Sequence, residues 1–273
     1  MTSSRPRAAI VANILLIALA SVATGCELLK YSPHQDDLPS EASQINKKNI
    51  ARISTTPPGD TVRFAFVSDT QNHYDDSQRF VRDVNSRDDI DFVVHGGDIT
   101  HFGVIQEYEW MHDIFSELAV PYLAVIGNHD ILANGGDLYD AVYGKRNFSF
   151  VYARTKYVFV DTNSRQYGFP GDVPDLEWLR DRIAPADDFD RAIVIAHAPP
   201  NHAEFDKELA EPFGTALEAS TTVELALFGH EHKYSVKKPY GDVTYLVTPS
   251  VEKHQYIMVS VSEDGVSFET VDF

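Results

Sequence analysis

The sequence predicts an α/β domain of two packed mixed sheets with helices on the outside. Two observations carry this. Apolar runs of strand length alternate with amphipathic helical stretches from residue 62 onward, and the last forty residues break into short strands separated by turns. Strand, helix, strand, helix, strand implies a covered sheet with right-handed crossovers.

The first strand is Val62–Val67, the second Asp91–Val94 and the third Pro121–Ile126. Between them, Ser77–Asn85 places Phe80, Val81 and Val84 on one helical face. Val104–Leu118 does the same with Ile105, Tyr108, Met111, Ile114, Phe115 and Leu118. After Asp130 the rhythm changes. Phe148–Tyr152 and Tyr157–Val160 read as a hairpin, and Pro174 opens a helix over Asp175–Ile183. Ala192–Ala196 is a strand, Phe205–Ala219 a helix and Val223–Phe228 a strand. The tail adds strands at Ser235–Lys237, Val243–Val247, Gln255–Val261 and Val266–Val271.

At 273 residues and 43% hydrophobic, with 16 Phe and 13 Tyr, the chain has ample material for a core and is no disordered protein. A formal net charge of -18 disfavours nucleic acid and other polyanions. A small phosphate ester remains compatible with that charge, because bound cations reverse the sign locally.

The N-terminus reads separately. Arg5 and Arg7 precede an apolar run, Ile10–Ala23, interrupted by Asn13 and Ser21, and Ala23-Thr24-Gly25-Cys26 closes it with small residues. Cys26 is the only cysteine, so no disulfide forms within the chain. The segment resembles a bacterial lipoprotein signal, with Ala23 where Leu, Val or Ile is usual. That resemblance implies a signal over residues 1–25, a lipid on Cys26 and a location on the extracytoplasmic side of an envelope membrane, the alternatives being ordinary secretory cleavage and an uncleaved anchor helix. Residues 26–60, with Pro33, Pro39, Pro57 and Pro58, read as a tether, and the folded domain is expected over 61–273.

Polar clusters interrupt the chain where apolar runs end: Asp69-Thr70-Gln71, Gly96-Gly97-Asp98, Gly127-Asn128-His129-Asp130, Asp161-Thr162-Asn163, His197 and Gly229-His230-Glu231-His232. In open α/β sheets the crevice beyond the strand carboxyl ends collects ligands. Five strands could therefore deliver Asp69, Asp98, Asn128, His197 and His230 to one place. Carboxylate, amide and imidazole donors suit two divalent ions of the Mn, Fe, Zn or Mg type, and the absence of core cysteine excludes a thiolate site. The glycines before Asp98, Asn128 and His230 permit close approach of backbone.

The order and form of these motifs resemble the calcineurin-like metallophosphoesterase superfamily, which carries an Asp-x-His, Gly-Asp, Gly-Asn-His-Asp/Glu, His and Gly-His-x-His series. The similarity spans about residues 62–240. It implies the metallo-dependent phosphatase fold, a four-layer α/β/β/α sandwich of two mixed sheets. It also implies that Asp69, Gln71 and His232 hold one metal, that Asn128, His197 and His230 hold the other, and that Asp98 bridges them. His129 is similar to the histidine that contacts phosphate and protonates the departing oxygen, the attacking group being a hydroxide shared by the metals. His129 and Asp98 are thus the expected catalytic residues.

Two positions depart from the family pattern. Gln71 replaces a histidine, which favours oxygen-tolerant ions such as Mn. His101 stands where the protein-phosphatase branch has an Asp beside the catalytic histidine, so His101 or Asp130 is expected to orient His129. Candidate substrate contacts are Asn128, His129, Asn163 and His202, and His95 is a candidate for packing under the site. The expected partner is a small phosphorylated molecule. The alternative is a degenerate metal-binding or scaffold lipoprotein in which Gln71 leaves one metal and no turnover.

Overall fold

A computed structural model describes residues 42–273; the signal, Cys26 and the tether up to residue 41 lie outside the described residues. β1 (Val62–Val67), β2 (Phe92–His95) and β3 (Tyr122–Ala124) run parallel. β10 (Gln255–Ser262) and β11 (Gly265–Asp272) extend the sheet antiparallel, giving the order β11-β10-β1-β2-β3. The second sheet contains β4 (Phe148–Tyr152), β5 (Thr155–Val160), β6 (Arg191–Ala196), β7 (Val223–Phe228), β8 (Ser235–Lys237) and β9 (Thr244–Val247), in the order β4-β5-β6-β7-β9-β8.

Strand alternation builds three apolar layers. On β1, Phe64 and Phe66 point between the sheets, where Phe92, Leu123, Tyr157, Phe159, Ile193 and Leu225 meet them. Phe64 stacks on Phe92 at 5.1 Å, and both rings meet Tyr157 of the other sheet edge-on. Ala65 and Val67 point outward, under α2 (Tyr74–Asn85), α3 (Ile105–Ser116) and α4 (Gly135–Val142), which contribute Phe80, Met111 and Tyr139. α5 (Leu176–Ile183) and α6 (Lys207–Ala219) cover the far face of the second sheet through Leu179, Phe213 and Leu217. The result is the expected four-layer α/β/β/α sandwich.

Residues 45–55 correct the tether expectation. Ile45–Thr55 is a helix, α1, with Ile45, Asn46, Asn49 and Ile53 buried. β3 is the edge strand, and α1 closes it. The Asn46 side chain donates from Nδ2 to Ala124 O (3.0 Å) and accepts from Ala124 N at Oδ1 (2.9 Å), and Asn49 Nδ2 donates to Tyr122 O (2.7 Å). These amides stand in for a further strand. Pro174 likewise does not open α5. Asp175 is the cap, its carboxylate accepting from Trp178 N at 2.9 Å.

The placement of the site follows from strand direction. β1, β2 and β3 are parallel to one another, as are β5, β6, β7 and β9. Ser68 after β1 and Ser250 after β9 form a parallel bridge between the sheets. Both sets of carboxyl ends therefore open on the same side of the molecule.

Candidate metal centre

Each expected ligand lies one to four residues beyond a strand end: Asp69 and Gln71 after β1, Asp98 after β2, Asn128 after β3, His197 after β6, and His230 and His232 after β7. Hydrogen bonds lace these loops together. Asp69 N donates to Gly97 O (3.1 Å), Gln71 N to Asp98 O (3.2 Å) and Gly229 N to His197 O (3.1 Å). His129 N donates to Asp98 Oδ1 (2.9 Å). Across the sheets, His230 N donates to Asp69 Oδ2 (3.0 Å) and the His197 ring donates from Nδ1 to Gly96 O (2.8 Å).

The backbone is strained where the donors sit. Asp69, Asp98, His230 and His232 all have positive φ, between 54° and 70°. Each costs roughly 1 kcal/mol or more for a residue with a Cβ, and such strain gathers at functional sites. Gly127 explains how the loops come so close: a Cβ there would lie 2.0 Å from Asp98 N.

The side chains form two overlapping triads. Donor atoms of Asp98, His197 and His230 lie within 4.8 Å of one another, as do those of Asp69, Asp98 and His232. Asp98 belongs to both. Asn128 joins the first, its Oδ1 3.1 Å from His197 Nε2. Gln71 joins the second, with Nε2 3.4 Å from Asp98 Oδ2 and a buried Oε1 that has no hydrogen-bond partner.

This donor set fits cations. With its Nδ1 proton committed to Gly96 O, neutral His197 presents a lone pair at Nε2. Around that atom stand Asn128 Oδ1 at 3.1 Å, His230 Nδ1 at 3.1 Å and Asp98 Oδ2 at 3.2 Å. Acceptors crowded this closely need a proton or a metal among them. Burial alone would lower the His197 imidazole, but Asp98 outweighs it and raises the group to about 10. Burial pushes the Asp98 carboxyl up, yet His197 and the His129 contacts hold it down at about 2. Burial and then His197 keep His230 low, at about 3, while the Asp69 hydrogen bond raises His232. Carboxylates, two amides and imidazoles, with no sulfur, suit ions of the Mn, Fe, Zn or Mg type.

The neighbours are arranged with equal care. His129 donates from Nδ1 to His101 O (2.8 Å), and the two rings stack at 5.1 Å, so Nε2 is the nitrogen left for a ligand. His101 thus orients His129 through its main chain. Asp130 instead turns inward, accepting at 2.8–2.9 Å from the backbone N–H groups of Ile99, Thr100 and Gly127 and from the Thr100 hydroxyl. His95 accepts from Gly97 N at Nδ1 (3.2 Å) and pairs with Thr70 Oγ1 at Nε2 (2.9 Å). It is a neutral strut beneath the ligand loops, kept at about 3 by burial and then by His197.

Asn163 is a correction. Expected to touch substrate, it is fully buried, and its Nδ2 donates to Ile126 O (3.0 Å) and Asp161 Oδ1 (2.8 Å), supporting the chain where it leaves β3. His202 does reach the centre: its Nδ1 lies 2.7 Å from His230 Nε2. Sequence reading missed Glu204. Its buried carboxylate accepts from Arg165 Nη1 (3.0 Å) and Gln166 Nε2 (3.2 Å) and fixes the loop that carries His202. No motif marks it.

A family model described as calcineurin-like phosphoesterase matches residues 62–234. The chain is 27% identical over 158 residues to a probable cyclic nucleotide phosphodiesterase of Ruthia magnifica subsp. Calyptogena magnifica, covering 53% of this chain and 63% of that relative, less than two-thirds of its length. It is 21% identical over 224 residues to a probable cyclic nucleotide phosphodiesterase of Xenorhabdus bovienii (strain SS-2004), covering 76% and 88%. Among solved structures, a dimetal phosphatase from Danio rerio superposes with a TM-score of 0.62 at 14% identity, over 77% of this chain and 97% of that one. A purple acid phosphatase from yellow lupin seeds gives 0.61 at 13%, over 80% and 52%. At these identities the structural likeness establishes the fold.

Proposed function

The chain belongs to the calcineurin-like phosphoesterase family, and from that premise we propose that it hydrolyses a small phosphodiester with two divalent ions held in the crevice. The observation that carries this is Asp98, shared between two donor triads. When bound, paired cations would supply Lewis acidity, which acidifies a nearby water and neutralises phosphoryl charge.

The residues divide the remaining work. Asp69, Gln71 and His232 would hold one ion, Asn128, His197 and His230 the other, with Asp98 available to both. The unpartnered Gln71 oxygen beside Asp98 supports a donor at that position despite the missing imidazole. It argues against the degenerate-scaffold alternative and favours Mn. His129, anchored at Nδ1 by His101 O, would in its doubly protonated form present an Nε2–H as the proton donor to the departing oxygen, leaving the neutral Nδ1–H ring behind. The Asn128 amide, next to it, is placed to hydrogen-bond a phosphoryl oxygen.

A cyclic nucleotide is the substrate class supported by the names of the two relatives. The net charge of -18 supports a small anion drawn by local cations over a polyanion. The envelope location and the lipid on Cys26 belong to the same proposal; Arg5, Arg7 and the apolar run before Cys26 support them. Incorporation of labelled palmitate that Cys26→Ala abolishes is the expected result.

The activity is tested by loading the chain with Mn or Zn, counting metal, and assaying bis(p-nitrophenyl) phosphate, p-nitrophenyl phosphate and 3′,5′-cyclic AMP. Diester turnover at two ions per chain is expected. A chain that binds two ions and cleaves none of the three overturns the reading.

A further inference from the structure

The two ring nitrogens of His230 face opposite ways. Nδ1 lies inside the donor cluster, 3.1 Å from His197 Nε2, and Nε2 lies 2.7 Å from His202 Nδ1. His202 Nδ1 also receives the backbone N–H of Glu204 at 3.3 Å. A backbone amide can only donate, so His202 Nδ1 carries no proton. The 2.7 Å contact then has one polarity: His230 donates from Nε2. A neutral imidazole with its proton on Nε2 keeps its lone pair on Nδ1, aimed at the cluster.

We propose that His202 is a positioning residue that fixes His230 in the tautomer able to bind a divalent cation. Ligating histidines generally donate their second ring N–H to such a partner, usually a carboxylate or carbonyl; here another imidazole fills that role. Without it, no acceptor outside the cluster holds that proton on Nε2, and any His230 that carries it on Nδ1 has no lone pair to offer a metal.

The acceptor is held firmly. His202 N donates to Pro199 O (3.0 Å), Phe205 N to His202 O (3.1 Å) and Arg165 N to Glu204 O (3.0 Å). Asp206 N donates to Ser164 Oγ (3.0 Å), and the Glu204 carboxylate is clamped by Arg165 and Gln166. The His202 and His230 rings meet edge to face with centroids 4.0 Å apart. A loop fixed at this many points returns the same nitrogen to the same place.

The inference rests on the two-cation reading and is tested apart from it. Calorimetric Zn2+ titrations of the full chain, His202→Ala and His202→Asn are combined with long-range 1H–15N spectra of the imidazoles without metal. Asn Oδ1 sits where His Nδ1 does and accepts but does not ligate the cluster. We expect His202→Ala to weaken one Zn2+ site by roughly 10–100-fold and His202→Asn to recover most of that loss. The spectra should show the His230 proton on Nε2 in the wild type and in His202→Asn, and a mixture in His202→Ala. Unchanged Zn2+ affinity in His202→Ala, or a wild-type His230 proton on Nδ1, overturns the inference. A wild type that binds no Zn2+ overturns the two-cation reading instead, while its spectrum still decides the tautomer without any variant.

Discussion

Asp98 Oδ2 lies 3.2 Å from His197 Nε2 with both side chains withdrawn from solvent, and this one contact links metal binding to pH. The carboxylate keeps His197 protonated up to about 10 in the metal-free protein, against the opposing effect of burial. Metal needs the same lone pair. At neutral pH a cation therefore displaces that proton, and His232, raised by Asp69, contributes in the same direction. Apparent affinity should rise with pH throughout the range below about 10, by about tenfold per unit for each proton displaced. It should fall away in acid, and the loss is complete once Asp98 itself protonates near its lowered value of about 2. Calorimetry at pH 7 in two buffers of different ionisation enthalpy measures the protons released; a value of zero contradicts the linkage.

Asp98 and His129 are predicted to fail in different ways. Asp98→Asn removes charge from both triads. It should cost more than ~3 kcal/mol of transition-state stabilisation, at least ~100-fold in rate, with metal lost as well. His129 meets the cluster only through its backbone N–H to Asp98, its ring being bonded to His101 O. His129→Ala should keep two ions per chain while turnover falls about 100-fold or more. Metal analysis beside steady-state rates separates the two, and equal metal loss in His129→Ala would move His129 into the ligand set.

Asn46 tests whether α1 is structural. Its amide satisfies both backbone groups of Ala124 on the open edge of β3. Removing it leaves the buried Ala124 N–H unpaired, at about 1–3 kcal/mol, while Ala124 O keeps the Tyr139 hydroxyl at 2.8 Å. Asn46→Ala should therefore lower the urea midpoint by an amount worth about 1–3 kcal/mol, whereas Lys47→Ala, on the exposed face of the same helix, should be nearly neutral.

Why α1 escaped notice while the metal centre did not is a matter of where each signal resides. The centre was legible because parallel strands read as apolar runs and their carboxyl ends must deliver whatever polar residue follows; Asp69, Asp98, Asn128, His197 and His230 were all placed by that rule. Asn46 and Asn49 look like ordinary tether residues because their partners lie 78 and 73 residues away. α4 was hidden by Gly135 and Gly136 at its start, poor helix formers that tertiary packing overrides. Asn163 was misplaced because the rule gives a location and not a direction. It follows a strand end but turns inward to Ile126 O.

Gln71 offers a gain of function. Its amide already lies against Asp98, 3.4 Å from Oδ2, so the position reaches the triad of Asp69, Asp98 and His232. An amide oxygen is a weaker donor than imidazole and suits Mn better than Zn. Gln71→His should tighten binding at that triad by roughly tenfold, about 1.4 kcal/mol, and more for Zn2+ than for Mn2+. The other triad, of Asp98, His197 and His230, should change far less, since Gln71 touches it only through the shared Asp98. Competitive titration of Zn2+ against Mn2+ on both proteins resolves this. If Gln71→His leaves both affinities unchanged, residue 71 does not reach the metal, and its buried oxygen needs a different partner.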